Sequence, residues 1–335
     1  MTDFLPNEDQ RPILRMIQEY FAAEQPVERL RWTRDGFSIA AFNVAEVAAL
    51  GLFGMGLAEP VGLGLGVVEE VLLMRECGRH LVSPTLMANI LAAHVAQRRR
   101  PEVIPGLMAG SSVVGLALAA DGEAGEAREV LVCGYEGADL IVVLERDRVG
   151  LIDAVEIGDV RPQRSLDETA PLHAASLPAT AGVWCSQEET GLNARATLLM
   201  SAQMVGLAEG ATKLSVEYAK VRQQFGQPIG AFQAVKHRCA DMAVRSELAW
   251  AQTLLAAASL RDAAPDAILQ VAAAQMVSAA AAHGNGASAI QVHGGIGYQA
   301  ECDAHHFMKR AHLYDQACGG RGRQAGLILS QPRPF

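Results

Sequence analysis

Hydrophobic and polar residues follow two different rhythms along the chain. Up to about residue 110, and again after about residue 187, apolar residues recur every three or four positions, which predicts amphipathic helices. Between these regions, short runs of β-branched residues separated by polar turns predict strands. The pattern therefore predicts a mainly α protein with a helical N-terminal domain (1–110), a small middle β domain (111–186) and a C-terminal helical domain (187–335).

The bounds of the predicted elements follow from where each rhythm stops. The predicted helices are Glu8–Ala23, Phe42–Leu50, Val67–Cys77, Met87–Gln97, 193–222, 231–260, 264–285 and 303–329. The predicted strands are 112–118, 129–133, 140–144 and 149–153, followed by further β-rich sequence as far as Trp184. Alanine dominates the last helices, so we expect them to pack closely as a four-helix bundle.

Composition narrows the class of protein. Half of the 335 residues are hydrophobic, but no run of about eighteen apolar residues occurs, so no membrane span is predicted. The polar N-terminus lacks the features of a signal peptide. Six cysteines without a Cys-x-x-Cys pair predict reduced, mostly buried thiols in a cytoplasmic protein. A net charge of -9 argues against nucleic acid as a partner.

The segment Met204–Met242 carries a distinctive helix–loop–helix pattern. Arg222 lies in the last helical turn before a break at Phe225-Gly226, and a second helix begins near Phe232. A cation at a helix C-terminus favours the helix dipole, so simple capping is one explanation of Arg222. A binding role for its guanidinium is the other.

A second block, Gln291–Tyr298, has the pattern Gln-Val-His-Gly-Gly-Ile-Gly-Tyr. By itself it is explained by a turn that ends a helix, with glycine supplying positive φ. In this block, His293 alone is expected to be a packed or hydrogen-bonded residue. Taken with the first block, in this order and at this separation, it resembles the signature of the acyl-CoA dehydrogenase family.

The resemblance implies an FAD site and a reaction. In that family an acyl-CoA thioester loses its α-proton to a carboxylate and its β-hydrogen as hydride to the flavin, and electron-transfer flavoprotein is the usual acceptor. The resemblance assigns Arg222 to the pyrophosphate, where a guanidinium suits phosphate oxygens, and Phe225 to the adenine. The other implied FAD contacts are Gln233, Gln291, Gly294 and Gly295. In the family these groups complete the flavin site of a neighbouring subunit.

The catalytic carboxylate is not where the resemblance places it. One family position, near the C-terminus, falls on Cys318 or Gly319, and the other, in the first bundle helix, falls on Arg195-Ala196-Thr197, where no carboxylate occurs. Asp315 and Glu209 are the weak remaining candidates for a base. By default, Asp315 is expected to be an exposed helix acid.

The middle β domain also departs from the family. It is short, and the family's Thr-Glu-Pro-x-x-Gly-Ser segment is not recognisable where this chain has Ala119-Ala120-Asp121-Gly122-Glu123. These departures predict a subunit that lacks the catalytic glutamate in a heteromeric bacterial acyl-CoA dehydrogenase, with a homologous chain as partner. The alternatives are a homomeric enzyme with Asp315 or Glu209 as base, and a non-catalytic scaffold that keeps the fold.

Four acidic or histidine positions near residue 305 invite a metal hypothesis. Asp303, His305 and His306 lie close together in sequence, with Glu301 beside them. Adjacent histidines do not share one face of a helix, so no metal site is predicted.

The predicted helix Val67–Cys77 is expected to have Glu69, Glu70 and Arg75 on its exposed side.

Overall fold

The structure is a computed structural model that describes residue 8 and residues 10–33, 35–119 and 127–330. It divides into two compact units: one contains the described residues up to Ser38, Val71–Val82 and the described residues from Thr197 on, and the other contains Ile39–Glu70 and Ser83–Ala196. The segment 120–123, where the family's flavin-contacting motif is not recognisable, lies outside the described residues. The division into three domains at residues 110 and 186 stays a prediction.

Helices make up most of the described chain, as the periodicity predicts. They are α1 (Gln10–Glu24), α2 (Val44–Ala49), α3 (Val67–Arg79), α4 (Thr85–Arg99), α5 (Ile104–Ala109), α6 (Gln187–Thr190), α7 (Leu192–Val221), α8 (Gln233–Arg261), α9 (Ala267–His293), α10 (Ala304–Ala317) and α11 (Gly320–Ser330). The short helices α5 and α6 were not predicted, since one turn of helix is too short to establish a periodicity.

The prediction of one helix over 303–329 is wrong. The helix breaks after Cys318, where Gly319 and Gly320 have φ angles of 78° and 70°. Left-handed backbone ends an α-helix, and glycine adopts it without a steric penalty. Two helices, α10 and α11, therefore replace the single predicted one.

The β-rich region forms one seven-stranded sheet within the second unit. Its strands are β1 (Val114–Ala119), β2 (Arg128–Cys133), β3 (Leu140–Leu144), β4 (Arg148–Asp153), β5 (Gly158–Gln163), β6 (Leu172–Leu177) and β7 (Val183–Ser186). Their order is β5-β6-β2-β1-β3-β4-β7, with only the β1–β3 pair parallel. Alanine, valine and isoleucine fill most of its core, and α4 packs against strands β1, β3, β4 and β7. This confirms the predicted β region.

The C-terminal helices pack through small residues. α9 contacts α8, α10 and α11, and Ala208, Ala249 and Ala281 form a buried cluster with Val205. By length and composition the segment Ala267–Tyr298 could cross a membrane, with a mean hydropathy of 1.2, but half of that window is buried inside the structure. A core helix has the same composition. The mainly α fold with a small β region and a helical C-terminal part is thus confirmed.

The cysteine thiols are mostly buried, as their apolar character predicts. None of the six cysteines, all of which lie in the described ranges, forms a disulfide; five are buried, and Cys239 is partly exposed. Burial raises the pKa of Cys77 well above its ordinary value, so that thiol stays protonated at neutral pH.

Candidate functional site

A short hairpin follows the end of α7 and carries the first motif. The Arg222 amide donates to the Tyr218 carbonyl at 2.9 Å, which completes the last helical turn, and the Arg222 carbonyl accepts from the Ile229 amide at 2.8 Å. Between these bonds, β8 (Gln223–Gln224) pairs with β9 (Gln227–Pro228). The backbone of Arg222 is therefore fixed on both sides.

The tip of this hairpin holds Phe225 in an unusual conformation. Phe225 and Gly226 have φ angles of 51° and 77°, as a two-residue type I′ turn requires. A left-handed backbone is strained for phenylalanine. The residue is 92% exposed, and its ring lies edge-to-face with the ring of Phe232, with centroids 6.1 Å apart. The fold thus presents an aromatic ring to solvent at a cost in backbone energy.

The second motif forms the turn that ends α9. Gly294 has φ 64° and ψ -140°, a region that side-chain-bearing residues avoid. A Cβ atom built on Gly294 or Gly295 would meet no atom within 4 Å, so the space beside this backbone is open. The turn continues as a short 3-10 helix, Gly294–Tyr298. Gly294 is needed for the conformation of the turn, and the open space leaves room for a ligand against the backbone.

A ring stack joins the two motifs. Tyr218, one turn before Arg222, stacks on His293 with ring centroids 4.2 Å apart. His293 is 7% exposed, and its Nδ1 lies 2.7 Å from the Ala289 carbonyl oxygen. The prediction that His293 is a packed, hydrogen-bonded residue is confirmed. The stack itself was not predicted, because the two residues are 75 positions apart, from 218 to 293.

The six residues that the resemblance assigns to FAD share one property. All are solvent-exposed in this chain: Arg222, Phe225, Gln233, Gln291, Gly294 and Gly295. Within the described part of the chain the Arg222 guanidinium makes no salt bridge. A free guanidinium and an open glycine backbone fit a nucleotide pyrophosphate. Their assignment to FAD stays a prediction.

Glu209 is not free to act as a base. Both of its oxygens accept from the Arg75 guanidinium, at 3.1 and 2.9 Å from Nε, and one accepts from Arg79 Nε at 2.7 Å. Arg75 in turn lies 4.0 Å over the Trp250 ring. Two guanidinium groups thus occupy both oxygens of this carboxylate. The same cluster includes Glu76, paired with Arg79. This network lines a cavity of about 770 Å³.

Asp315 is held in a different way. It is 9% exposed, so the default expectation of an exposed helix acid is wrong. Its Oδ2 lies 3.1 Å from His283 Nε2. The hydrogen bond to His283 lowers the pKa of Asp315 although burial opposes this. A base for an α-proton needs a raised pKa, so this environment works against the role.

Cys318, at a family base position, is sealed in the core. It is 4% exposed, and its Sγ lies 3.2 Å from the Met200 Sδ. Burial raises the pKa of Cys318 to about 12. A neutral thiol packed on a thioether is neither a base nor a nucleophile at neutral pH.

Arg195, the first of the three residues on which the other family base position falls, contacts a carboxylate whose burial was not predicted. Its guanidinium donates to Glu70, whose other oxygen lies 2.8 Å from His94 Nε2. Glu70 is completely buried, so the prediction that it lies on the exposed side of α3 is wrong. Burial opposes ionisation, but His94 and Arg195 together lower the pKa of Glu70 below its ordinary value. A charged side chain can be buried when it has partners such as these, and the polarity of a residue in the sequence does not show whether it has them.

The acidic and histidine residues near position 305 have protein partners. Asp303 accepts two hydrogen bonds from Arg31 Nε, at 3.0 and 3.2 Å, and the rings of His305 and His306 pack edge-on against Phe37. Among the residues that the structure describes, no group of three or more His, Cys, Asp or Glu could hold a metal ion.

Comparison with known proteins defines the class. The family model "Acyl-CoA dehydrogenase, N-terminal domain" matches residues 7–111, and "Acyl-CoA dehydrogenase, C-terminal domain" matches residues 189–331. Acyl-CoA dehydrogenase IpdE2 of Mycobacterium tuberculosis is 32% identical over 261 residues, which cover 75% of this chain and 73% of IpdE2. The chain therefore belongs to the acyl-CoA dehydrogenase family, whose enzymes are FAD-dependent oxidoreductases.

Other relatives differ in length or in sequence. Acyl-CoA dehydrogenase FadE34 of M. tuberculosis is 33% identical over 298 residues, which cover 83% of this chain but only 40% of FadE34. The ChsE4–ChsE5 complex from M. tuberculosis has a TM-score of 0.79 at 22% identity, covering 99% of this chain and all of that one. A variant of the Tcur3481–Tcur3483 steroid ACAD has a TM-score of 0.81 at 21% identity, covering 96% of each chain. At these identities the solved structures establish the shared fold.

Proposed function

We propose that this chain is the subunit without a catalytic carboxylate in a heteromeric, FAD-dependent acyl-CoA dehydrogenase. The observation that carries the proposal is a contrast within one chain. The groups suited to FAD are present and exposed, whereas the candidate bases Asp315 and Glu209 are held by a histidine and by two arginines, and Cys318 is a buried thiol. The acyl-CoA is the substrate and FAD the cofactor of the proposed reaction.

The residues of this chain have binding and orienting roles. The Arg222 guanidinium would donate to pyrophosphate oxygens, as a planar fork of N–H groups does. The ring of Phe225 would cover the adenine, and the amides of Gln233 and Gln291 would bind polar atoms of the ADP half. The glycine turn admits the nucleotide close to the backbone. FAD, when bound, supplies the hydride acceptor.

The proton step is assigned to a partner. Dehydrogenation removes the α-hydrogen as a proton and the β-hydrogen as a hydride, and leaves a carbon–carbon double bond. The proton needs a carboxylate of raised pKa in a dry site. Because Asp315 has a lowered pKa and Cys318 is neutral, a homologous subunit with a glutamate would accept it. A site built across an interface allows one chain to lack the base while the assembly keeps it.

The partners and the compartment follow from the same proposal. The name of the ChsE4–ChsE5 complex gives a precedent for two different chains in one assembly. The steroid named for the Tcur3481–Tcur3483 enzyme supports a bulky acyl group. We infer electron-transfer flavoprotein as the acceptor, a cytoplasmic location, and neither nucleic acid nor membrane as a partner.

The test is an absorbance spectrum of the purified chain, alone and co-expressed with a homologous chain from a neighbouring gene. Flavin bands in the complex alone, bleached by an acyl-CoA, are the expected result. Bands in the isolated chain that an acyl-CoA bleaches would contradict the proposal and favour a homomeric enzyme with Asp315 or Glu209 as base. If neither sample contains flavin, the chain is a scaffold and the proposal is wrong.

A further inference from the structure

Helices α7 and α9 run in the same direction and end side by side. Asn285, completely buried in α9, donates its side-chain amide to the Ala208 carbonyl of α7 at 3.1 Å. Further along both helices, from position 208 to 218 and from 285 to 293, Tyr218 stacks on His293. Because each helix leads directly into one of the two motifs, both motifs leave the same end of this pair of helices.

His293 is held by the glycine turn as well as by the stack. Its ring lies 4.2 Å from the Tyr218 ring, with 24° between the planes, and its Nδ1 lies 2.7 Å from the Ala289 carbonyl oxygen. The turn folds back over the end of α9, because a Cβ atom on the buried Gly297 would lie 3.2 Å from the His293 Cβ and 2.5 Å from the Ile290 carbonyl oxygen. In packing this close, a shift of the His293 ring is passed to the turn.

Tyr218 is joined to the other motif through its backbone. Its carbonyl accepts the Arg222 amide at 2.9 Å, which completes the last turn of α7. The chain after the hairpin returns to the same turn of helix, since a Cβ atom on Gly230 would lie 2.9 Å from the Ala219 carbonyl oxygen. The backbone of Tyr218 therefore holds the hairpin, and its ring holds the residue on which the glycine turn packs.

We propose that Tyr218 and His293 are positioning residues for FAD. Their stack fixes the separation between the Arg222 hairpin and the Gly294–Gly295 backbone, so that one nucleotide contacts both. The inference rests on the proposed function, which assigns these two groups to FAD. A ligand held at two points binds tightly when the points are already correctly spaced, because ordering them on binding costs free energy. Neither ring needs to touch the flavin for this role.

The first test titrates FAD into the flavin-depleted, co-expressed complex. Tyr218→Leu removes the ring, and Tyr218→Phe keeps it. The matched control is Phe21→Leu, which breaks the stack of Phe21 on His80, a ring pair of the same compact unit with centroids 6.3 Å apart. Phe21 is completely buried in α1, so the control should lower the urea midpoint of unfolding.

The dissociation constant for FAD is expected to separate these variants. Tyr218→Leu should raise it by about 3- to 10-fold, the range of an aromatic pair. Tyr218→Phe should restore it to within about twofold of the wild type, and Phe21→Leu should stay within the same limit despite its lower stability. In a His293→Gln background, Tyr218→Leu should cause no further loss, because both substitutions remove the same contact.

Hydrogen exchange of the isolated full chain tests the positioning without flavin. Tyr218→Leu should speed exchange of the backbone amides in both 222–229 and 294–299, since the two motifs lose the contact that joins them. Phe21→Leu should leave these two segments unchanged. Unchanged exchange of the 294–299 amides in Tyr218→Leu would mean that the stack does not hold the turn, and would overturn the proposal.

Two results of the titration would also overturn it. Wild-type affinity for FAD in Tyr218→Leu, even with faster exchange, would mean that the stack serves the fold alone. An equal loss of affinity in Phe21→Leu would attribute the effect to general destabilisation. Both results require a wild-type complex that binds flavin, so they are distinct from failure of the proposed function, in which the wild-type complex binds none and this inference falls with it.

Discussion

The hairpin and turn around Arg222 differ from the junction of α10 and α11 in the exposure and the partners of their side chains, although both contain glycines with left-handed backbone. Around Arg222, charged and aromatic side chains are exposed, and the backbone is strained at Phe225 and left-handed at Gly294. At the junction, Cys318 and Asp315 are buried and have partners inside the chain. Both regions belong to one compact unit.

The difference separates side chains with partners inside this chain from side chains that this chain leaves exposed. Packing within this chain explains why the Cys318 thiol lies against the Met200 thioether and why Asp315 lies against His283. It does not explain a strained phenylalanine at 92% exposure or an arginine without a salt bridge within the described residues. Under the proposed function, the exposed residues would form the cofactor half of the site, whereas Cys318 and Asp315, at or near a family base position, are buried with partners inside the chain.

The largest expected effect is at Arg222. In the co-expressed complex, Arg222→Ala should lower flavin affinity by about 10- to 100-fold, since a charge-assisted hydrogen bond contributes about 1.5–3 kcal/mol. Flavin absorbance per protein, measured against added FAD, gives the affinity. Lys220→Ala, an exposed cation on the last turn of α7, is the control and should bind flavin normally. A yellow Arg222→Ala complex with unchanged affinity would refute the pyrophosphate role.

Substitution at the buried junction should affect stability and leave flavin binding intact. Cys318→Ser places a hydroxyl beside Met200 without a known acceptor and should lower the free energy of unfolding by about 1–3 kcal/mol. Urea denaturation measures the change. Cys239→Ser, at a partly exposed position, should change it by less than about 0.5 kcal/mol. If Cys318→Ser loses flavin while its free energy of unfolding is unchanged, the junction contributes to flavin binding and not to stability, which is the opposite of the expected result.

Asp315 should matter for acid stability. The hydrogen bond to His283 lowers its pKa in the folded chain, so the group stabilises the fold above the unfolded value of about 3.9 and loses this effect as pH falls through the folded pKa. Asp315→Asn should therefore flatten the decline in stability below about pH 5. Denaturant midpoints across pH, with the exposed Asp241→Asn as control, test this. A loss of turnover by about 10²- to 10⁴-fold would instead identify Asp315 as the base.

The smallest expected effect is at Phe225. Phe225→Gly should raise the free energy of unfolding by about 1 kcal/mol, because glycine adopts its left-handed backbone without strain. The same variant should weaken flavin binding severalfold through loss of the ring. Phe225→Ala removes the ring and keeps the strain, so thermal denaturation of the two variants separates the effects. Equal stability of both would show that the turn is unstrained.

The periodicities located most elements but did not locate their contacts. Strand β3 has the predicted bounds, and α7 differs from its prediction by one residue at each end. The break at Gly319-Gly320 was missed although the sequence marks it, since no hydrophobic residue stands between Cys318 and Ala325. Glu70 was placed on the wrong side of α3, since its polarity predicts exposure and its partners lie 24 and 125 positions away.

The sequence by itself determined the local structure, the order of helical and β regions, and the family, because helical period, turn chemistry and the two motifs depend on residues close together in the chain. Tertiary structure alone decided which charges are buried. The stack of Tyr218 on His293, the Glu70–His94–Arg195 cluster and the sealing of Cys318 each join residues far apart in sequence. A buried charge or thiol is stable or costly according to the partner that folding brings beside it, and no local pattern contains that partner.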